Sequence, residues 1–299
     1  MKKAVVYFTK ELTPKGLLRI YQAMGADLSG RIAVKISTGE PGGHNFLSPS
    51  LIAPLVKTLN GTIVECNTVY EGGRNTNEAH WKTMKAHGFL DIADCDLMDE
   101  DGEISLPVRN GKHLTENWVG CHLANYQSML VLSHFKGHPM AGLGGALKNM
   151  SIGVASSRGK FVIHTNGSNE TSMEALFAAD HDSFLESMAD ADQSVMNYMG
   201  SKNLAYINVA NRLSVDCDCV AHPQEPEMAD IGIFASLDPV AVDQACVDAV
   251  YQSPDSGKAA LIERIESRNG VHILEAAAAL GLGSREYKLV DISEGSDCE

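Results

Sequence analysis

Residues 133–149, SHFKGHPMAGLGGALKN, gather two histidines, two lysines and four glycines directly after an apolar run. His134 and His138 stand four apart, which on a helix would place both on one face and suit a metal, although Gly137 and Pro139 disfavour a regular helix there. Gly142, Gly144 and Gly145 precede ALKNMSIGVA, which can begin a helix; its free amides and Lys148 would then hold an anionic group. No Gly-Lys-Ser/Thr follows, so this is not a Walker-type phosphate loop. His164 ends another short apolar run, in KFVIHTNG. His138, His164 and Lys148 are the candidate catalytic groups, the histidines as metal ligands or as acid and base, a role an imidazole fits near neutral pH. The plainer account is a glycine-rich turn with solvated side chains.

A second cluster lies in SVDCDCVAHP (214–223), where Asp216, Cys217, Asp218, Cys219 and His222 fall within seven residues. In an extended chain Cys217 and Cys219 share one face and the aspartates the other. Thiolates suit a soft or borderline metal or a cluster, carboxylates a hard cation. Cys217, Cys219, His222 and His134 are therefore the candidate metal ligands, for iron, nickel, zinc or an iron–sulfur cluster. The alternative is a loop with one buried cysteine and capping aspartates.

Two further loops carry polar groups. KISTGEPGGHNF (35–46) offers Ser37, Thr38 and Gly39, whose amides could cradle an anion. ECNTVYEGGRNTNEAH (65–80) offers Arg74 for a carboxylate or phosphate. Either loop could equally be a glycine-bearing connection, with Asn75 and Asn77 forming turns and caps.

The elements that would position these residues alternate. Strands are expected at 4–8, 31–37, 61–66, 128–133, 204–210, 230–236 and 286–292. Helices are expected at 14–24, 48–59 (Ser48 as N-cap, Pro49 first), near 78–87, twice within 170–199, at 237–251 (Asp238 as N-cap, Pro239 first), 258–267 and 272–281. EISLPV with Asn110-Gly111 reads as a hairpin excursion. The pattern predicts an α/β fold: a largely parallel sheet flanked by helices, with a crevice between lobes of about 1–165 and 166–293 and a frayed tail at 294–299. In such folds ligands sit beyond the carboxyl ends of the strands, where all of the loops above fall.

The 299-residue chain has a formal net charge of −14, which argues against nucleic acid or an anionic membrane as the main partner but leaves room for a local basic pocket and a small anionic ligand. No apolar run is long enough to cross a membrane. Seven cysteines, an odd number without disulfide-like density, fit a reducing cytoplasm. A bacterial ferredoxin cysteine run is absent.

VLSHFKGHPMAGLGGALKNMSIGVAS, LSVDCDC, ADIGIFASLDPVAVDQACVD and RIESRNGVHILEAAAALGLGSREY resemble the DUF362 family over nearly the whole chain. That resemblance implies a link to iron–sulfur chemistry, although the ferredoxin module inserted in many members is missing here. A fainter resemblance, carried by His138, the glycines at 142–145, Lys148 and His164, is to the nickel-pincer lactate racemase family. It implies a lysine holding a pyridinium-derived cofactor, flanked by histidines that bind nickel or move protons. The arginine-bearing loop of that family is replaced here by STGEPG.

Two functions are thus expected. One is a cytoplasmic metal- or cofactor-dependent enzyme, an oxidoreductase or isomerase, acting on a small anionic molecule by redox or hydroxy-acid chemistry around 137–148. The other is a non-enzymatic iron–sulfur or metal carrier, working with a ferredoxin-type redox partner, with Cys217, Cys219 and His222 together at an exposed edge.

Overall fold

A computed structural model describes residues 3–168 and 170–293. The tail 294–299, expected to fray, lies outside the described residues. The first half alternates β1 (Ala4–Thr9), α1 (Pro14–Met24), β2 (Ile32–Lys35), α2 (Pro49–Thr58), β3 (Thr62–Glu65), α3 (Asn77–Ala86) and β4 (Cys95–Leu97). A separate antiparallel hairpin, β5 (Glu103–Pro107) with β6 (Glu116–Gly120), is the expected excursion. Then come β7 (Ser128–His134), the short antiparallel pair β8 (Lys136–His138) and β9 (Gly142–Gly144), α4 (Ala146–Ser151) and α5 (Ser157–His164). The chain continues with α6 (Met173–Ala178), α7 (His181–Met199), β10 (Leu204–Ala210), β11 (Gly232–Ser236), α8 (Pro239–Gln252), α9 (Lys258–Ser267), α10 (His272–Ala279) and β12 (Tyr287–Asp291).

The helix starts follow capping chemistry. The hydroxyl of Ser48 accepts the Leu51 N–H and the carboxylate of Asp238 accepts the Ala241 N–H, each satisfying a first-turn donor, with proline next in the chain. Ser156 does the same for α5 through the Gly159 N–H.

Eight strands form one sheet in the order β12-β1-β11-β10-β7-β2-β3-β4, and only β11 runs against its neighbours. Strand β7 is central and buried along its whole length. Its residues alternate between two cores: Met129 and Val131 face one layer with Leu147, Met188 and Val242, while Leu130 and Leu132 face the other with Leu17, Ile20 and Leu55. Helix α1 covers that second face because Leu17, Ile20 and Met24 recur at helical spacing. Full burial of each such side chain contributes about 1.5–3 kcal/mol.

The expected lobes do not separate. Strand β1 lies between β11 and β12, and β10 pairs with β7, so the sheet interleaves chain from both sides of residue 165. Among the described residues no helix is long and apolar enough to cross a membrane.

Candidate functional site

Parallel strands β2, β3, β7 and β10 end on the same edge, and their following loops enclose a cavity of about 430 Å³. Ser37, Arg74, His134, His138, Gly144, Gly145, Lys148, His164, Cys217 and Cys219 all line it. Thr38, Gly39, Gly142 and His222 do not.

The cysteine loop is laid against the β8–β9 hairpin. The Gly137 N–H donates to the Ser214 carbonyl, and a Cβ on Gly137 would come within 2.3 Å of the Val215 oxygen, so only glycine admits this approach. The Glu40 N–H donates to the Asp218 carbonyl from the other side. Held this way, Cys217 and Cys219 meet His138, with all three potential ligand atoms within 4.8 Å of one another. Cys219 Sγ lies 3.9 Å from His138 Nε2. Cys217 accepts a hydrogen bond from Cys219 and lies near Lys136, His138 and Lys148, which together pull its thiol well below the usual range; Cys219 keeps the shared proton and is pushed up. Two sulfurs and one imidazole make a borderline-metal donor set with a position left for another ligand. They fall short of the four thiolates that a cubane cluster takes. Cys66 also lines the cavity, but its thiol donates to the Val154 carbonyl, and burial pushes its pKa up.

The histidine rings are oriented by main-chain bonds. Nδ1 of His138 accepts the N–H groups of Met140 and Ala141, at 3.1 and 2.9 Å. The proton of the neutral ring therefore sits on Nε2, the nitrogen facing the thiols. Nδ1 of His164 faces the Lys160 carbonyl at 2.7 Å and must donate to it, which leaves a lone pair on Nε2. The ring of His164 stacks on Phe184 with centroids 4.5 Å apart. Burial depresses both histidines, His138 to about 4 with help from Lys148, and His164 to about 3. Lys148 is half-buried on α4, and its ammonium makes no hydrogen bond or ion pair with any described residue.

Several expected ligands are otherwise engaged. His134 turns Nδ1 to Asp218 at 2.8 Å and Nε2 to the Asn211 carbonyl at 2.6 Å, so neither nitrogen points to a metal. His222 is exposed and packs beside Gly42, outside the cysteine cluster. Arg74 lines the cavity, but its guanidinium bonds Glu40, Glu65 and the Tyr70 hydroxyl. Thr38 spends its N–H and hydroxyl on Glu65. Gly39 lies under the Phe46 ring, and Gly142, at φ +75°, packs its backbone against Gly270; both shape turns rather than bind. The expected amide cradle at the start of α4 is filled from within. The Asp243 carboxylate accepts the Ala146 and Leu147 N–H groups, seated against Gly145, where a Cβ would fall 2.4 Å from its Oδ1.

A buried charge network behind the cavity escaped the sequence reading. Lys35 pairs with Glu65 at 2.7 Å and also donates to the Ile36 carbonyl. Burial pushes the Glu65 carboxyl up, but Lys35, Arg74 and His80 outweigh it and hold the group at about 2. Lys136 pairs with Asp218 at 3.0 Å. Asn149 on α4 donates to the Lys35 carbonyl and to Ser133, joining the helix to two strand ends. Lys160, buried on α5 one turn before His164, also reaches the cavity. The i, i+4 spacing of Lys160 and His164 was the one sequence signal that could have found it.

Among solved structures the chain is similar to the lactate racemase apoprotein from Thermoanaerobacterium thermosaccharolyticum, at 11% identity over 98% of this chain and 84% of that one, with a TM-score of 0.45. It is also similar to a Thermotoga maritima protein, at 11% identity over 80% of this chain and 58% of that one, with a TM-score of 0.46. No curated protein matches it. The family model described as Domain of unknown function (DUF362) matches residues 32–248, most of the chain and every loop of the cavity. The chain belongs to the DUF362 family.

Proposed function

We propose that the cavity is the site of a metal- or cofactor-assisted reaction on a small anionic molecule, of the redox or hydroxy-acid type. The observation that carries this reading is Lys148: an ammonium with no ion pair or hydrogen bond to any described residue, in a cavity shared with two thiols and two oriented imidazoles. Such a cation attracts an anionic group, and the enclosed surroundings strengthen the pairing. The lone pair on His164 Nε2 is the available proton acceptor. The Nε2 nitrogen of His138 faces both sulfurs, and His138 is among the groups that favour the thiolate of Cys217. Cys217 and Cys219 would hold a borderline metal ion, with His138 as third ligand once its Nε2 proton is displaced. Such an ion would supply Lewis acidity or a redox couple beside the bound anion. The carrier alternative needs an exposed pair of cysteines; Cys217 is only 6% exposed and faces the cavity, which favours chemistry on an enclosed ligand.

The test is anaerobic purification followed by metal analysis and an optical spectrum. Stoichiometric metal, lost when Cys217 and Cys219 are both changed to serine, is the expected result. Absorption from bound sulfide and iron would favour the carrier. No metal and no chromophore, with the double variant as stable as the parent, would overturn both.

A further inference from the structure

The cavity wall carries five cations, Lys35, Arg74, Lys136, Lys148 and Lys160. Three are matched by carboxylates: Lys35 by Glu65, Arg74 by Glu40 and Glu65, and Lys136 by Asp218. Lys148 and Lys160 have no ion pair with any described residue. The contrast is not explained by exposure, because Lys160 is only 6% exposed. Its ammonium donates to the Ala155 carbonyl at 2.5 Å, a dipole rather than a charge. Of the groups that act on it across space, Cys66 is a thiol whose pKa burial pushes up, Asp99 makes no ion pair with it, and Glu65 is shared with Lys35, Arg74 and Thr38. A buried ammonium with no carboxylate in contact is costly, and burial accordingly lowers its pKa. The Cys217 sulfur lies near Lys148, but a divalent metal on two thiolates is neutral as a unit and would leave that lysine uncompensated. In a chain of net charge −14, two spare cations in one cavity mark a place for negative charge that the ligand brings.

We infer that the ligand carries two anionic groups, one held by Lys148 and the other by Lys160, with the reacting carbon between them under His164. The shared chemistry is that of a short dicarboxylate or a phosphorylated carboxylate. This rests on the cavity being the reaction site and narrows its substrate class. Lys160 and His164 lie one turn apart on α5 and both line the cavity, while Lys148 lies near His164 from α4. A dianion spanning the two lysines would therefore bring its backbone past the His164 lone pair. Lys160 would be a positioning residue for one end of the ligand.

The experiment is calorimetric titration of the purified full chain with succinate, glutarate, phosphoglycolate and butyrate at constant ionic strength. At least one dianion should bind ten-fold or more tightly than butyrate, and the preferred one separates the dicarboxylate from the phosphorylated class. Lys148→Met and Lys160→Met should each reduce that dianion to butyrate-like affinity. If Lys160→Met does not fold, reductive methylation of the parent protein serves instead: the preferred dianion, but not butyrate, should slow labelling of both lysines as read by mass spectrometry. Equal affinity for butyrate and all dianions, or an unchanged preference after loss of either lysine, would overturn the inference. Metal uptake without any dianion preference sinks this inference alone; dianion binding without metal uptake sinks the metal reading and leaves this one standing.

Discussion

His138 and His164 line the same cavity with opposite hydrogen-bonding polarity: Nδ1 of the first accepts two main-chain N–H groups, and Nδ1 of the second donates to a carbonyl. One ring therefore presents a proton on Nε2 and the other a lone pair, a division of labour set by backbone before any ligand arrives. Nitrogen-15 NMR of the imidazoles should report the Nε2–H form for His138 and the Nδ1–H form for His164. Burial depresses both groups, to about 4 and about 3, so both forms should persist unchanged from pH 8 to pH 5. A mixture of tautomers, or protonation of either ring near pH 6.5, would contradict the assignment.

The Lys148 ammonium makes no ion pair or hydrogen bond with any described residue, so Lys148→Met should shift stability by no more than about 0.5 kcal/mol. Anion binding should fall about 10- to 100-fold, the worth of one charge-assisted hydrogen bond. Thermal melting and titration of the same preparation check both halves. A variant that loses stability without losing binding would make Lys148 structural.

Glu65 should set part of the acid limit of the fold. Its carboxyl is held at about 2 in the folded state against an ordinary 4.5. A depressed carboxyl contributes stability that is present above about 4.5 and is lost as pH falls toward about 2. The whole contribution is about 3 kcal/mol. Glu65→Gln should lack that dependence between pH 4.5 and 2, because it leaves no titrating group there. It should also cost about 3–5 kcal/mol at neutral pH, because Lys35 and part of Arg74 lose their counter-charge while still buried. Denaturant unfolding at a series of pH values measures both effects, and parallel curves for parent and variant would refute the assignment.

Gly145→Ala should destabilise by about 2–3 kcal/mol, since the new Cβ would push Asp243 off the Ala146 and Leu147 N–H groups and leave buried donors unpaired. Calorimetric melting checks it. An unchanged melting temperature would mean that the carboxylate can move without loss.

The sheet strands and capped helices were legible because their signals are local: alternating or continuous apolar runs, Ser48-Pro49, Asp238-Pro239. The β8–β9 pair was not, since three-residue strands of Lys-Gly-His and Gly-Leu-Gly carry no periodicity. At the site, His138 and Lys148 follow β7 in the chain, His164 ends α5, and all three line one cavity beyond the strand ends. The residues that departed from their expected roles did so through long-range pairing. Arg74 is neutralised by Glu40, 34 positions away, and Lys136 by Asp218 across the sheet edge. His222 stands only three residues from Cys219, yet the chain turns at 217–220 and carries it outward. Proximity along the chain misled there, and no single-sequence signal marks which lysine finds a carboxylate.

The main-chain bonds from Gly137 to Ser214 and from Glu40 to Asp218 clamp the cysteine loop at 214–218 between two neighbours. Beyond Gln224 the same loop is largely exposed until Met228. One connection is thus rigid where it bears sulfur and permissive a few residues later. A tag or fluorophore grafted between Glu225 and Pro226 would ride on the molecule's rim without touching the thiols. That makes this the natural handle for watching ligands enter in real time.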